Sequence, residues 1–414
     1  MAKYNTGNPI GSADPRDLYD NAQNIDTSAN DTTNVEWTDR LGNKRLTLWG
    51  FERIADEAKT SVVSLANSAQ QSATAAAIAR TGAESARNEA VAISDPESQI
   101  EQLFDIWVRD SERATVEAAT GGSCTIERTP NGQSCYMWIV SKGRAEDLAP
   151  GGALGTGVHE AFLVGGIEKS HFLLGMYPAA LVNSEVVSQP GRIPWVSSAF
   201  DDTLAACAAL GAGWHQASIW EWAYIALWCM ANGYQPTGNT NWGRSHANVW
   251  ETVARGDNGQ PSVAIGDGKH YAGYGPNAWN HNAGANGIAD LVGNVWERLN
   301  LMKMVGARVF LANDNDHTLA DTAWTDTLFD MPGNRTWSTI VTTGASDKLK
   351  RALVVPNGVL DPQGHLYTTL TGERIPLRGG SWRDGGPAGL SALDLRTLRS
   401  TAYSNVGLRL ARAI

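Results

Sequence analysis

The C-terminal stretch Arg378–Ile414 limits the fold more than any other part of the chain. Arg378-Gly379-Gly380-Ser381-Trp382 sets two glycines beside a serine and a tryptophan. Glycine admits close backbone approach or positive φ, and tryptophan supplies a large apolar anchor. About twenty-five residues later, Val406-Gly407-Leu408-Arg409-Leu410 is apolar at every second position, the pattern of a closing strand. The intervening residues mix Arg, Asp, Pro, Ser, Thr and Tyr without a clear period. The sequence therefore predicts two framework strands that hold an irregular, polar, exposed segment over 383–404.

A second signature lies upstream, Gly287-Ile288-Ala289-Asp290-Leu291-Val292-Gly293-Asn294-Val295-Trp296-Glu297. Further pieces are Gly213-Trp214-His215, the run SIWEWAY from Ser218 to Tyr224, and Gly238-Asn239-Thr240-Asn241-Trp242-Gly243. In their order these motifs resemble the C-type-lectin-like fold of formylglycine-generating-enzyme (sulfatase-modifying factor) type. The branch they resemble serves the variable proteins of diversity-generating retroelements and phage tail-tip adhesins. The resemblance covers roughly residues 153–414. It departs from the family at Leu408, where Phe is usual, and at Arg298, where many members carry an aromatic.

The resemblance implies an α+β domain rich in loops, with helices over Asp201–Leu210 and Ser218–Ala231. The Gly287–Glu297 segment would pack under the Arg378–Trp382 strand, with Trp214, Trp222, Trp242, Trp296 and Trp382 in the core. It also implies that ligand-contacting side chains fall between the framework residues. Here those positions hold Arg383, Asp384, Pro387, Leu390, Ser391, Asp394, Arg396, Thr397, Thr401 and Tyr403. Tyr and Arg are common hot-spot residues. Six arginines against two aspartates from Arg378 onward predict a locally basic face suited to an anionic receptor.

Composition agrees with a loop-rich architecture: 43 glycines and 16 prolines suit turns, and 16 tryptophans can anchor them. A length of 414 residues accommodates two or three domains. A net charge of −10 with no cationic stripe argues against nucleic acid as a partner. No apolar run reaches the length of a membrane span, and the N-terminus lacks a signal-peptide pattern. Assembly in the host cytoplasm is the expectation.

Residues 1–53 are polar and read as extended segments and loops. The stretches Lys3–Pro9 and Asp14–Ala22 resemble the start of phage tail-fibre proteins, which implies an arm attached to tail or baseplate proteins. Residues 54–95 form the clearest helix. Ala55, Ala58, Val62, Leu65, Ala69, Ser72, Ala76, Ala79, Ala83, Ala86, Ala90 and Ile93 alternate spacings of three and four, the seam of a parallel coiled coil. An alanine-rich seam buries little area, so partner chains held in parallel would have to support it. The tail-fibre resemblance implies a homotrimer. Asp95-Pro96 ends the helix. Residues 96–152 then predict a connector, with a short helix over 97–112, strands from Ala114 to Val140 around the Asn131-Gly132 turn, and a Pro/Gly-rich linker over 146–157. The lectin-like domain would occupy 153–414.

The family's oxidases use cysteines beyond the Arg378–Trp382 strand, and no cysteine follows Cys229. Eight scattered histidines offer no paired metal spacing. Cys124 and Cys135 flank a hairpin turn and could bridge if oxidised, although cytoplasmic assembly disfavours it; Cys207 and Cys229 read as buried thiols. Asp290, Asn294 and Glu297 could offer oxygen ligands to Ca²⁺, but carboxylates that accept backbone N–H bonds to pin loops are the stronger reading. The resemblance thus implies a non-catalytic protein without a cofactor: a virion tail-fibre or tail-tip adhesin that binds a host-surface receptor, glycan or protein, through 383–404. The alternative is a structural fibre or baseplate subunit whose lectin-like domain binds another virion protein.

Overall fold

A computed structural model describes residues 3–92 and 110–414 and divides the chain into Met1–Asp105 and Ile106–Ile414. The N-terminal unit is more ordered than its composition suggests. Asp14 caps a helix over Pro15–Asn30, its side chain accepting from the Arg16 N–H at 2.9 Å, with Pro at the first helical position. Asp-Pro is a helix-start signal, and it corrects the expectation of loops throughout 1–53. Arg40 anchors this helix by donating to Asn21 Oδ1 at 2.8 Å beside the buried Asp17. A hairpin follows, Glu36–Thr38 with Lys44–Leu46.

The long helix runs Leu48–Ala92, starting earlier than expected because Thr47 Oγ1 accepts from the Gly50 N–H at 2.8 Å. Along its seam Val62 is 64% exposed and Leu65 70%. Ile93 and residues 97–109 of the short helix expected over 97–112 lie outside the described residues. No helix among the described residues is long and apolar enough to cross a membrane.

In the C-terminal unit, Ser111–Ala119 is helical, capped by Asp110, where strands were expected from residue 114. The hairpin of Cys124–Arg128 and Ser134–Ser141 then forms one side of a five-stranded sheet. Its other strands are His171–Gly175, Leu410–Ala413 and Trp214–Gln216. The hairpin is therefore woven into the sheet that carries the chain's last strand, not into a separate connector. The expected linker over 146–157 is packed as well, with Leu148, Ala149 and Leu154 in the main core. The unit that holds the C-terminal motifs thus begins well before residue 153.

The hairpin register pairs Cys124 with Trp138 and Cys135 with Glu127. Residues 124 and 127 point to opposite faces of the strand, so the two cysteines cannot face each other across the turn. Both thiols are free and buried.

A six-stranded sheet carries the C-terminal motifs. Its order is Arg335–Thr336, His365–Thr368, Gly389–Leu395, Leu377–Gly379, Trp296–Arg298 and Val406–Leu408. Trp296–Arg298 pairs antiparallel with Leu377–Gly379 and parallel with Val406–Leu408, which places the two signature motifs side by side. Gly379 has φ +90°, and a Cβ there would meet the Leu291 carbonyl oxygen at 2.6 Å; the close approach requires glycine. The closing segment splits between sheets. Val406–Leu408 belongs to this one and Leu410–Ala413 to the five-stranded sheet, with the buried Arg409 at the switch.

The helix Ile219–Ala231 runs through the main core and is buried on nearly every side, as its apolar circumference demands. Ser218 and Glu221 close it with a capping box. Helix Phe200–Ala208 matches the helix expected over Asp201–Leu210 to within two residues at each end. The whole is an α+β architecture.

Candidate recognition site

The segment 383–404 does not form one exposed face. Gly389–Leu395 is a central strand of the six-stranded sheet, buried at every position. Leu390 and Ser391 belong to the interior, so neither offers a contact surface. Sheet neighbours lie on both sides, Leu377–Gly379 antiparallel and His365–Thr368 parallel. The buried Arg378 guanidinium reaches across to the Ser391 carbonyl at 2.8 Å and to the Leu353 carbonyl at 2.7 Å.

Six of the ten expected residues nevertheless converge. Arg383, Asp384, Asp394, Arg396, Thr397 and Tyr403, joined by Asn405, surround a cavity of about 420 Å³ over an apolar floor of Trp296, Leu377 and Val406. Pro387 and Thr401 are not among its lining. Pro387 contributes its carbonyl to the His365 N–H at 3.0 Å, and the Thr401 carbonyl accepts from the Arg298 guanidinium.

Local hydrogen bonds fix the rim. Asp384 Oδ2 accepts from both the Ser381 N–H and its hydroxyl, each at 2.6 Å, closing a tight turn. Arg383 projects from this turn, exposed, without a hydrogen bond or ion pair to the described residues. Across the cavity, Asp394 accepts from the Arg396 N–H at 2.8 Å and from its guanidinium at 3.0 Å. The Arg396 guanidinium also lies 4.2 Å from the Tyr367 ring centre. The hydrogen bonds to Asp394 hold the Arg396 pKa above its ordinary value. The far rim is pinned through its backbone: the Tyr403 carbonyl accepts from Ser197 at 3.1 Å and Val406 at 3.2 Å. Its ring stays 54% exposed. Arg298 bonds the carbonyls of Ser198 and Thr401 from below. Where the family resemblance leads one to expect an aromatic, this chain has a buried guanidinium holding the loop.

The locally basic face is overturned. Arg378 and Arg409 are buried. Arg396 is paired with Asp394, Arg399 with Asp201, Asp321 and Glu373, and Arg412 with Glu127. The site therefore presents one unpaired cation, Arg383, among the described residues, beside the phenol of Tyr403 and an apolar floor. Such a mixture suits reversible recognition through a few hydrogen bonds and aromatic contact.

The calcium candidates are consumed internally. Asp290 accepts from the His270 ring at 3.0 Å and the Gly273 N–H at 2.9 Å. Burial opposes its charge, but the His270 ring and the Gly273 N–H outweigh burial and hold its pKa below the ordinary value. Asn294 bonds the His270 backbone through both ends of its amide. Glu297 takes both arms of Arg409, at 2.9 and 2.6 Å, where backbone N–H partners were expected. Arg409 also bonds the carbonyls of Gly175 and Ala289 at 2.8 Å each, tying the two sheets together. No oxygen of this set is left for an ion. Among the described residues no three His, Cys, Asp or Glu side chains gather to hold a metal.

The thiols are poor nucleophiles. Burial pushes Cys135 and Cys229 up to about 12 and raises Cys124 and Cys207 as well, so none supplies a thiolate at neutral pH. Of the signature tryptophans, Trp214, Trp222, Trp296 and Trp382 are buried, whereas Trp242 is partly exposed at φ +44°.

Sequence reasoning missed the cavity floor and Asn405. The alternation that marks Val406–Leu410 as a strand already implied that Val406 faces something, but its neighbour Trp296 is set by long-range pairing.

No family model and no curated protein matches the chain. Among solved structures it is similar to the Major Tropism Determinant U1 variant at 13% identity and a TM-score of 0.27. The match covers 67% of this chain and 62% of that one, so the chain spans less than two thirds of that relative's length. The M1 variant matches at the same identity and TM-score, over 70% of this chain and 71% of that chain.

Proposed function

We propose that the protein is a phage tail-fibre or tail-tip adhesin. Its C-terminal unit, of C-type-lectin-like, formylglycine-generating-enzyme type, binds a host-surface receptor without catalysis. The observation that carries this reading is the convergence of Arg383, Asp384, Asp394, Arg396, Thr397 and Tyr403 on one open, aromatic-floored cavity. Their backbones are fixed by buried groups, so side chains can change while the frame stays. The receptor reading favours a glycan or protein met through hydrogen bonds and stacking, not an anionic polymer, since Arg383 is the one unpaired cation of the site among the described residues.

In this reading residues 1–53 attach to tail or baseplate proteins and the Leu48–Ala92 helix joins three chains in parallel through its exposed Val62 and Leu65 seam. Several copies on one particle would compensate for weak single sites. Two experiments test it. Light scattering should give about three times the 44.3 kDa chain, and Val62→Asp with Leu65→Asp should return it to monomer. Purified protein should also block phage adsorption to host cells; a structural subunit would not.

A further inference from the structure

The turn after Trp382 is a ridge with a cavity on each side. The recognition cavity meets it at Arg383 and Asp384. A second cavity, of about 360 Å³, meets it at Gly386 and continues along Ala388 and Gly389. The two share no lining residue, yet Asp384 and Gly386 are two positions apart, so at most roughly 7 Å of backbone separates the two walls. The ridge is fixed from both flanks. Asp384 Oδ2 takes the Ser381 N–H and hydroxyl, and the Gly385 N–H donates to the Thr240 carbonyl at 2.9 Å.

Thr240 also orients a polar group of the second cavity. Its hydroxyl meets His246 Nδ1 at 2.8 Å and accepts from the His246 N–H at 2.9 Å, which sets this exposed ring on the cavity wall. A Cβ at Gly386 would lie 3.7 Å from His246 Nε2, so the ring faces the ridge with that nitrogen unpartnered among the described residues. The exposed Gln363 side chain and the half-buried His365 ring line the same hollow, likewise without a hydrogen bond to the described residues. Among the described residues its lining holds no lysine or arginine, and Asp361 is its one acid. The hollow thus offers exposed hydrogen-bonding groups and no counter-charge for an anion.

Both volumes, about 420 and 360 Å³, fall in the small-ligand range of about 300–1,000 Å³. A protein receptor needs roughly 800 Å² of matched surface per partner, whereas two small hollows on either side of a fixed ridge suit a chain of small hydroxylated units. We propose that the receptor is a neutral oligosaccharide that lies across the Asp384–Gly386 ridge, with a sugar unit in each cavity and His246 as a contact residue. This rests on the adhesin reading and names its ligand.

The test is binding of the full chain to host cells left untreated, oxidised with periodate or digested with proteinase K. Periodate cleaves the vicinal diols of sugars, and the protease removes surface proteins. Binding should be lost after periodate and kept after protease. Gly386→Trp, at an exposed position where a Cβ makes only ordinary contact, should fill the second cavity and cut binding at least about tenfold with the melting temperature unchanged. His246→Ala should cut it about three- to tenfold, the worth of one neutral hydrogen bond. Binding lost to protease and kept after periodate overturns the proposal. So does full binding by both folded variants where Arg383→Ala with Tyr403→Ala has lost it, which leaves the adhesin reading standing. A parent protein that binds no host cell removes both.

Discussion

Two adjacent stretches of one segment behave in opposite ways. Gly389–Leu395 is buried throughout and forms a central strand. Residues 396–404 supply the far side of the recognition cavity through Arg396, Thr397 and Tyr403, and Arg396, Leu398 and Tyr403 are exposed. Both stretches contain polar residues, so polarity alone does not separate them. What separates them is where the polar groups spend their hydrogen bonds. Asp394 points to the cavity and is occupied by Arg396, two residues on. The Ser391 carbonyl is taken by Arg378. The rim, in contrast, is held by its backbone carbonyls, which leaves the side chains of Arg383 and Tyr403 at the surface. The frame is thus built so that changing rim side chains does not disturb it.

The sharpest way to break this comparison is a pair of leucines. Leu393 is fully buried in the strand and Leu398, in the stretch that follows it, is 46% exposed. Leu393→Ala should cost about 2–5 kcal/mol in thermal or denaturant unfolding, and Leu398→Ala within about 0.5 kcal/mol. Equal costs would erase the distinction between frame and rim.

A smaller effect is expected at the junction. Asp394→Asn keeps the shape but removes the charge opposite Arg396, which is nearly half exposed. Stability should fall by about 1 kcal/mol or less, measured by denaturant midpoint, and receptor binding should weaken because Arg396 is freed from its position. Smaller still, Ser391→Ala should leave both melting and adsorption unchanged. Its hydroxyl meets only Met230 Sδ, at 3.9 Å, and it lies inside the sheet. Lost adsorption with an intact fold would return Ser391 to the contact surface.

The framework was legible in the sequence because its signals are local. Glycines beside Trp382, the alternation at Val406–Leu410 and the apolar run after Ser218 each carry their own period or cap. The Gly389–Leu395 strand was not legible, because Ser391 and Asp394 interrupt its apolar run and its partner strand His365–Thr368 is recruited from a distance. The same reason hid the fate of the arginines. Counting them from Arg378 onward suggests a basic face, but their partners Glu127, Asp201, Asp321, Glu297 and Glu373 lie far away in the chain. The helix Pro15–Asn30 did carry a local signal, Asp14-Pro15, which the surrounding Asn and Asp residues obscured.

In the proposed function, exposed rim side chains recognise the receptor while the frame carries the fold. Arg383→Ala combined with Tyr403→Ala tests it most directly, because neither side chain supports the packing beneath it. Adsorption to host cells and thermal melting would be measured on the same preparation. Binding should fall at least about tenfold, as expected for loss of two hot-spot residues, with stability within about 1 kcal/mol of the parent. Undiminished adsorption by a folded double variant would contradict it.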